Sequence, residues 1–348
     1  MATKTTAKKT PAKKAAAKKK APAKKAAAKK KAPAKKKAGK RGPRRERVLV
    51  TGAAGGLGRL VCRMLHRDYE VIAVDRRPFP DRPKDVNHLR VDVRRKSAQK
   101  EIRKQKPDVI VHLGVMHNPH KAGGAFHFNL EGTTQLLRLA EKIDVRKFVF
   151  LSTANLYGPS ATSSGFMTEE APLLAGGRSP EIRDLISLDM MVQSFFWKRP
   201  ETETVILRPV HIIGPHLRNA PTTYLRKDNV PTLMGFDPMI QLIHESDVVR
   251  SIAAAVKKPA RGVYNITGDS AAPLSRIVMA RRKNQVPLPG PVFKSFVKRA
   301  FKVRLTNFPP SEIVHLKYSC LVDGSRAEKE LGFHAKVSLT DALVDLGS

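Results

Sequence analysis

Arg47-Val48-Leu49-Val50-Thr51-Gly52-Ala53-Ala54-Gly55-Gly56-Leu57-Gly58 is the stretch on which the reading of this chain turns. A short, mostly apolar run leads straight into spaced glycines. Leu57, Leu60, Val61, Met64 and Leu65 then recur at helical spacing. Strand, glycine turn and helix in that order form a cradle for a pyrophosphate. Gly52 permits the tight turn, Gly55 lets backbone approach the phosphates, and Gly58 lets helix pack closely on strand. The amides of Gly56, Leu57 and Gly58 open the helix and face the anion.

A second strand, Val71-Ile72-Ala73-Val74, ends at Asp75, 23 positions after Gly52. A carboxylate there suits ribose hydroxyls and repels a 2′-phosphate. Arg76 and Arg77 follow at once and could hold that phosphate instead. The balance favours NAD, with NADP left open.

From about Arg47 to the C-terminus the chain resembles the extended short-chain dehydrogenase/reductases, the NAD-dependent epimerase/dehydratase group. TGAAGGLG at 51–58 is similar to that family's TGxxGxxG. Val91-Asp92-Val93 resembles its adenine-contacting element, and Asp108 to Gly114 its fourth strand, with Leu113 and Gly114 at the cofactor-lining end. Asn129 to Thr133 resembles an NVxGT helix start. Phe148 to Thr153 with Leu156-Tyr157-Gly158 resembles the fifth strand and its VYG turn. Leu207-Arg208-Pro209 with Gly214-Pro215 resembles the LRPxxxxGP element. Gln241 to Val249, Gly262 to Asn265 and Asp323 to Phe333 continue the likeness in order. The resemblance implies a Rossmann-type, doubly wound parallel α/β sheet that holds NAD. An interleaved C-terminal lid, drawn mainly from 160–178, 216–239 and 269–321, would close over a nucleotide-sugar. It also makes Asp92, Val93, Asn129 and Pro209 cofactor contacts.

The family's proton relay is missing. Its members carry Ser or Thr, then Tyr and Lys as YxxxK, one helical turn apart on one face. The cation and the cofactor lower the phenol's pKa so that it passes a proton as hydride moves. Thr153 stands at the Ser/Thr position, but Leu185 occupies the Tyr position and Asp189 the Lys position. None of Tyr69, Tyr157, Tyr224, Tyr264 and Tyr318 has Lys four residues later. Three readings stay open: a domain that binds cofactor without turning it over, a substitute acid/base from His112, His117 or His120, or a displaced helix alignment.

Charge divides the chain in two. Of 66 Lys and Arg, 20 lie in residues 1–45, and the first carboxylate is Glu46. PAKKAAAKKKA at 11–21 repeats unchanged at 22–32. This segment has no aromatic residue and too little apolar surface to offset the entropy of ordering, so it reads as a disordered tail. It resembles the Lys/Ala/Pro tails of linker-histone-like proteins. Such a tail releases counterions from phosphates and implies a nucleic acid partner bound without sequence preference.

Two cysteines, Cys62 and Cys320, provide no disulfide framework. No run of eighteen apolar residues or secretory signal is present. A cytoplasmic protein, drawn to the nucleoid by its tail, is the expectation, with a homodimer left open and no metal site. Arg218 reads as a surface cation or a substrate-phosphate ligand. Phe293, Phe296, Val297 and Phe301 recur at helical spacing among Lys294, Lys298, Arg299, Lys302 and Arg304. They read as a lid helix with its apolar stripe turned inward, or as a second polyanion contact.

Overall fold

Seven parallel strands form the central sheet: β1 (Arg47–Thr51), β2 (Glu70–Val74), β3 (Asn87–Leu89), β4 (Val109–His112), β5 (Lys147–Leu151), β7 (Glu203–Pro209) and β11 (Gly262–Ile266). Their spatial order is β3-β2-β1-β4-β5-β7-β11. The order reverses between β1 and β4, where Val48 to Thr51 register with Val109 to His112. The computed structural model describes residues 45–116, 122–161, 165–177, 180–306 and 308–347. Of 122–124, 180 and 181 it describes backbone alone. Arg45–Ser348 is one compact unit.

Why these strands are central follows from their composition. Val48, Leu49 and Val50, like Val109, Ile110 and Val111, are inaccessible on both faces, as a parallel sheet covered by helices requires. Helices α1 (Gly56–Leu65), α2 (Lys96–Gln105), α3 (Ala122–Ile143), α4 (Pro180–Lys198) and α6 (Glu245–Lys257) supply the cover. One core gathers Val48, Val50, Val61 and Leu65 with Val248 and Ile252, and the opposite core gathers Leu49, Ile110, Leu136 and Phe148 with Leu188 and Val192. Burial pushes the Cys62 thiol up to about 12, so it behaves as a small apolar side chain.

A smaller body interleaves with the sheet. It contains β8 (His211–Ile213), α5 (Ala220–Leu225), β9 (Asn229–Leu233), β10 (Met239–His244), β12 (Ala271–Pro273), α7 (Leu274–Ala280), β13 (Asn284–Leu288), α8 (Gly290–Lys302) and α9 (Leu339–Val344). Its own core joins Tyr224, Leu233, Leu242, Ile277 and Phe293 to Ala342, Leu343 and Leu346. The lid therefore recruits the C-terminal helix, which lies outside the ranges expected from sequence. Residues 165–177 go elsewhere. β6 (Phe166–Met167) pairs with β14 (Leu321–Val322), and Met167, Ala171 and Leu173 pack against the main sheet's core.

One helix face differs from expectation, and another divides neighbouring methionines. In α8, Phe293 and Val297 point inward, but Phe296 is exposed, because i and i+3 positions only share a face when the buried stripe is wide enough. In α4, Met191 packs on the core while its neighbour Met190 faces outward. Among the described residues no helix is long and apolar enough to cross a membrane.

Candidate cofactor and substrate cleft

The glycine turn sits at the carboxyl edge of the sheet, at the point where strand order reverses. Gly52 has φ +69°, a left-handed backbone that favours glycine. A Cβ there would lie 2.9 Å from the Gly114 backbone, so the ends of β1 and β4 touch main chain to main chain. Gly114 N–H donates to Thr51 Oγ1 at 3.1 Å and fixes that contact. At Gly58 a Cβ would lie 2.2 Å from the Gly52 carbonyl oxygen, which forces helix α1 against the turn. At Gly56 it would meet the His216 carbonyl oxygen at 2.8 Å. Gly55 N–H closes the turn on Gly52 O at 2.9 Å. α1 has no acidic residue in its first turn, so nothing on the helix neutralises its positive end.

Asp75 follows β2 and is buried. It accepts from Ala54 N–H at 3.1 Å and from the backbone and side chain of Arg77. Burial alone would raise its pKa, but the Arg77 side chain and the two backbone donors hold it below the ordinary carboxylate value. The arginine beside the carboxylate is therefore Arg77. Arg76 instead lies over the Phe128 ring at 4.5 Å, with Arg94 over the same ring at 4.7 Å. Arg94 also pairs with Asp92, and its hydrogen bonds keep that carboxyl low. Val93 packs in the core beside Gly132.

A cleft of about 450 Å³ opens beside Leu57 at the start of α1, and the turn glycines, Asp75, Arg76, Asp92, Val93 and Gly114 are not among its lining residues. It brings together Leu57, Leu113, Asn129, Thr153 and Pro209 from the expected site, and adds Leu185. Asn129 uses its amide to hold Met116, accepting from Met116 N–H at 2.7 Å and donating to its carbonyl at 3.1 Å. Thr153 Oγ1 accepts from Asn155 N–H at 3.2 Å and so caps a short 3-10 turn beneath the cleft. Arg218 is also a lining residue.

The reaction end is built differently. Leu185 presents an alkyl side chain to the cleft, and Asp189, one turn on, is fully buried. Asp189 receives Arg208 Nη2 at 2.6 Å and Nε at 3.0 Å, Ser152 Oγ at 2.5 Å and Gln193 Nε2 at 2.7 Å. Burial would lower the Arg208 pKa, but the carboxylate outweighs it and holds the guanidinium above its ordinary value. Arg208 Nη1 donates to Tyr157 Oη at 2.9 Å, and that hydroxyl donates to Asn265 Oδ1 at 2.8 Å. Burial raises the Tyr157 pKa, so this phenol stays protonated. Among the described residues the lining includes no Tyr and no Lys.

His112 does not line the cleft. It is buried at the end of β4, with Nδ1 2.7 Å from Thr51 Oγ1 and Nε2 3.0 Å from Thr133 Oγ1. Desolvation pushes it down to about 4, and both ring nitrogens are occupied. His117 and His120 lie outside the described residues. Sequence reasoning misses His211, which lines the cleft and stacks edge-on with His315 at 5.2 Å. Burial, with His315 adding to it, pushes His211 down to about 4. Glu312 lies beside both, 3.5 Å from His315 Nε2. The available signal for His211 is its position two residues after Pro209. The Asp189–Arg208 pair has one too, since a carboxylate among apolar helix positions requires a cation.

The model of the NAD dependent epimerase/dehydratase family matches residues 48–267. The chain belongs to this family. An uncharacterized protein of Mycobacterium tuberculosis is 29% identical over 311 residues, covering 86% of this chain and 82% of that one. The UDP-glucose 4-epimerase of Bacillus subtilis is 24% identical over 342 residues, covering 86% and 95%. Among solved structures, a UDP-glucose 4-epimerase from Bifidobacterium longum in complex with NAD+ and UDP superposes with a TM-score of 0.67. It is 20% identical and covers 86% of this chain and 96% of that one.

Proposed function

We propose that this family member binds NAD(H) at the Gly52–Gly58 turn but does not run the family's Tyr/Lys proton relay. One observation carries the reading: Asp189 is turned away from the cleft into a buried pair with Arg208, while Leu185 faces the cleft. A carboxylate locked to guanidinium cannot stand in for a lysine that lowers a phenol's pKa, and no phenol lines the cleft. The cofactor side supports binding. Gly52, Gly56 and Gly58 let the turn and the start of α1 pack against neighbouring backbone where a Cβ would intrude, and the Asp75 carboxylate suits ribose hydroxyls. NAD is favoured over NADP because Arg77 is already committed to Asp75. When bound, the cofactor supplies hydride chemistry; the chain's residues would bind and orient it and exclude water.

The relatives' substrates favour a nucleotide-sugar, of UDP type, as the second ligand. Residues 1–45 would tether the protein to nucleic acid and place it with the nucleoid in the cytoplasm. Should two copies pair as a homodimer, sedimentation velocity would detect it.

Calorimetry with NAD, NADH, NADP and NADPH tests the binding half; no binding of any at millimolar concentration defeats it. Nicotinamide reduction or oxidation with a panel of nucleotide-sugars tests the other half, and turnover at ordinary family rates would refute it. Retention on duplex DNA across a salt series, with and without residues 1–45, tests the tether. Equal affinity and equal salt slope would remove it.

A second reading rests on His211, the neutral imidazole in the cleft. If turnover is found, His211→Gln should lower it by about a hundredfold or more, and the residual rate should lose the acid limb of its pH profile.

A further inference from the structure

The lid carries a surface that the cleft does not use. α8 buries Phe293 and Val297 in the lid core, yet Val292, Phe296, Val303 and Leu305 are 54%, 53%, 63% and 79% exposed. At about 100° per residue, Val292, Phe296 and Val303 fall within about 40° of one another around the helix axis. They form one stripe beside the buried face. Lys294, Lys298, Arg299 and Lys302 occupy the remaining arc, and Arg304 follows. All five cations are exposed, and residues 290–305 contain no carboxylate. Among the described residues none of the five is in an ion pair.

Single exposed apolar residues are ordinary. Three in line, with Leu305 exposed just after them and five uncompensated cations around them, are not. The charge excludes two occupants of this surface. Residues 1–45 hold 20 Lys and Arg and would be repelled, and a second copy meeting the first through the same face would set cation against cation. A duplex could satisfy the cations, but it has no apolar interior to receive Phe296 and Leu305. An anionic bilayer meets both demands: acyl chains take the apolar stripe, and headgroup phosphates take the lysines and arginines.

We infer that α8 and the turn after it form a peripheral membrane-docking surface for anionic lipid. The helix lies along the headgroup layer, with Val292, Phe296, Val303 and Leu305 reaching below it. The sheet and the cleft stay in water. The surface is independent of whether the cleft binds cofactor.

Co-sedimentation of the full chain with phosphatidylcholine/phosphatidylglycerol vesicles and with pure phosphatidylcholine vesicles tests this. Val292→Ser/Phe296→Ser leaves the net charge and the tail intact, so any difference from the unsubstituted chain reads α8. Both positions are exposed, and an unchanged melting temperature would confirm folding. The double variant should lose at least tenfold in partition onto anionic vesicles, most clearly in about 1 M salt, where the Debye length of about 3 Å screens the tail. Lys298→Gln/Arg299→Gln/Lys302→Gln should weaken binding at low salt by about fivefold per cation. In a Trp197→Phe background, which removes the chain's one tryptophan, Phe296→Trp fluorescence should shift to the blue on anionic vesicles. Equal partition of the double variant and the unsubstituted chain, or an unshifted tryptophan, would overturn the inference. So would a loss confined to duplex DNA binding, which would assign the surface to nucleic acid.

Discussion

The two ends of one cleft answer to different constraints. At the glycine end, three backbone approaches within 3 Å of a notional Cβ hold α1, β1, β4 and the segment at His216 together, and Asp75 waits beside them. At the α4 end, Leu185 faces the cleft where the family's pattern would place Tyr, and a buried ion pair has taken over the helix's inner face at Asp189. The first end is shaped to suit a ligand. The second is shaped by folding: Asp189 and Arg208 satisfy one another and fasten α4 to β7. On the proposed reading, binding and chemistry part company within a single fold, because pyrophosphate recognition would rest on main chain, whereas the family's proton transfer rests on two side chains.

The comparison breaks most sharply at Asp189. Asp189→Leu leaves Arg208 buried without its counter-ion and should cost about 3–5 kcal/mol in chemical denaturation. Restoring the family pattern with Leu185→Tyr/Asp189→Lys should fare no better and yield no turnover, since the introduced ammonium would face the Arg208 guanidinium. A stable, active double variant would show that the two ends had not diverged.

Next comes His112. Its pKa falls from 6.5 to about 4 on folding, so between those values the unfolded chain binds the extra proton. Stability present above pH 6.5 should be lost as pH falls toward 4, by up to about 3 kcal/mol from this residue. His112→Gln should flatten that part of the stability–pH curve; an unchanged slope would mean that His112 does not titrate there.

Gly58→Ala places a methyl 2.2 Å from the Gly52 oxygen. The turn must shift, at about 1–3 kcal/mol by thermal melting, and NAD affinity should collapse with it. Retained affinity would show that the glycine end tolerates what its geometry forbids. The smallest effect is at Asp75. Asp75→Asn keeps the shape but removes the charge, and should weaken NAD by about tenfold, or about 1.4 kcal/mol, while improving NADP. The native carboxyl is held low, so it should add no pH dependence to binding above about pH 5. A preference for NAD that survives this substitution would place the discrimination elsewhere.

Much of this molecule is legible before folding is considered. The glycine spacing, the strand before it and Asp75 after the next strand are local features, and local geometry makes them a binding turn. The absence of YxxxK is equally plain, because it is a statement about letters. What sequence does not reveal is where Asp189 points. Its partners Ser152 and Arg208 lie 37 and 19 residues away, and nothing local pairs them. His112 misleads for the same reason, since its occupancy by Thr51 and Thr133 comes from strand order and from α3.

By itself, then, the sequence determined the parallel sheet, the cofactor turn and the division of charge between residues 1–45 and the remainder, all of which depend on short-range periodicity, spacing and composition. Tertiary structure alone decided that His211 reaches the cleft, that the lid borrows its C-terminal helix, and that α8 shows Phe296 to solvent. Those outcomes depend on contacts between segments distant in sequence, where packing and the pairing of buried charge choose among faces that the local pattern leaves equivalent.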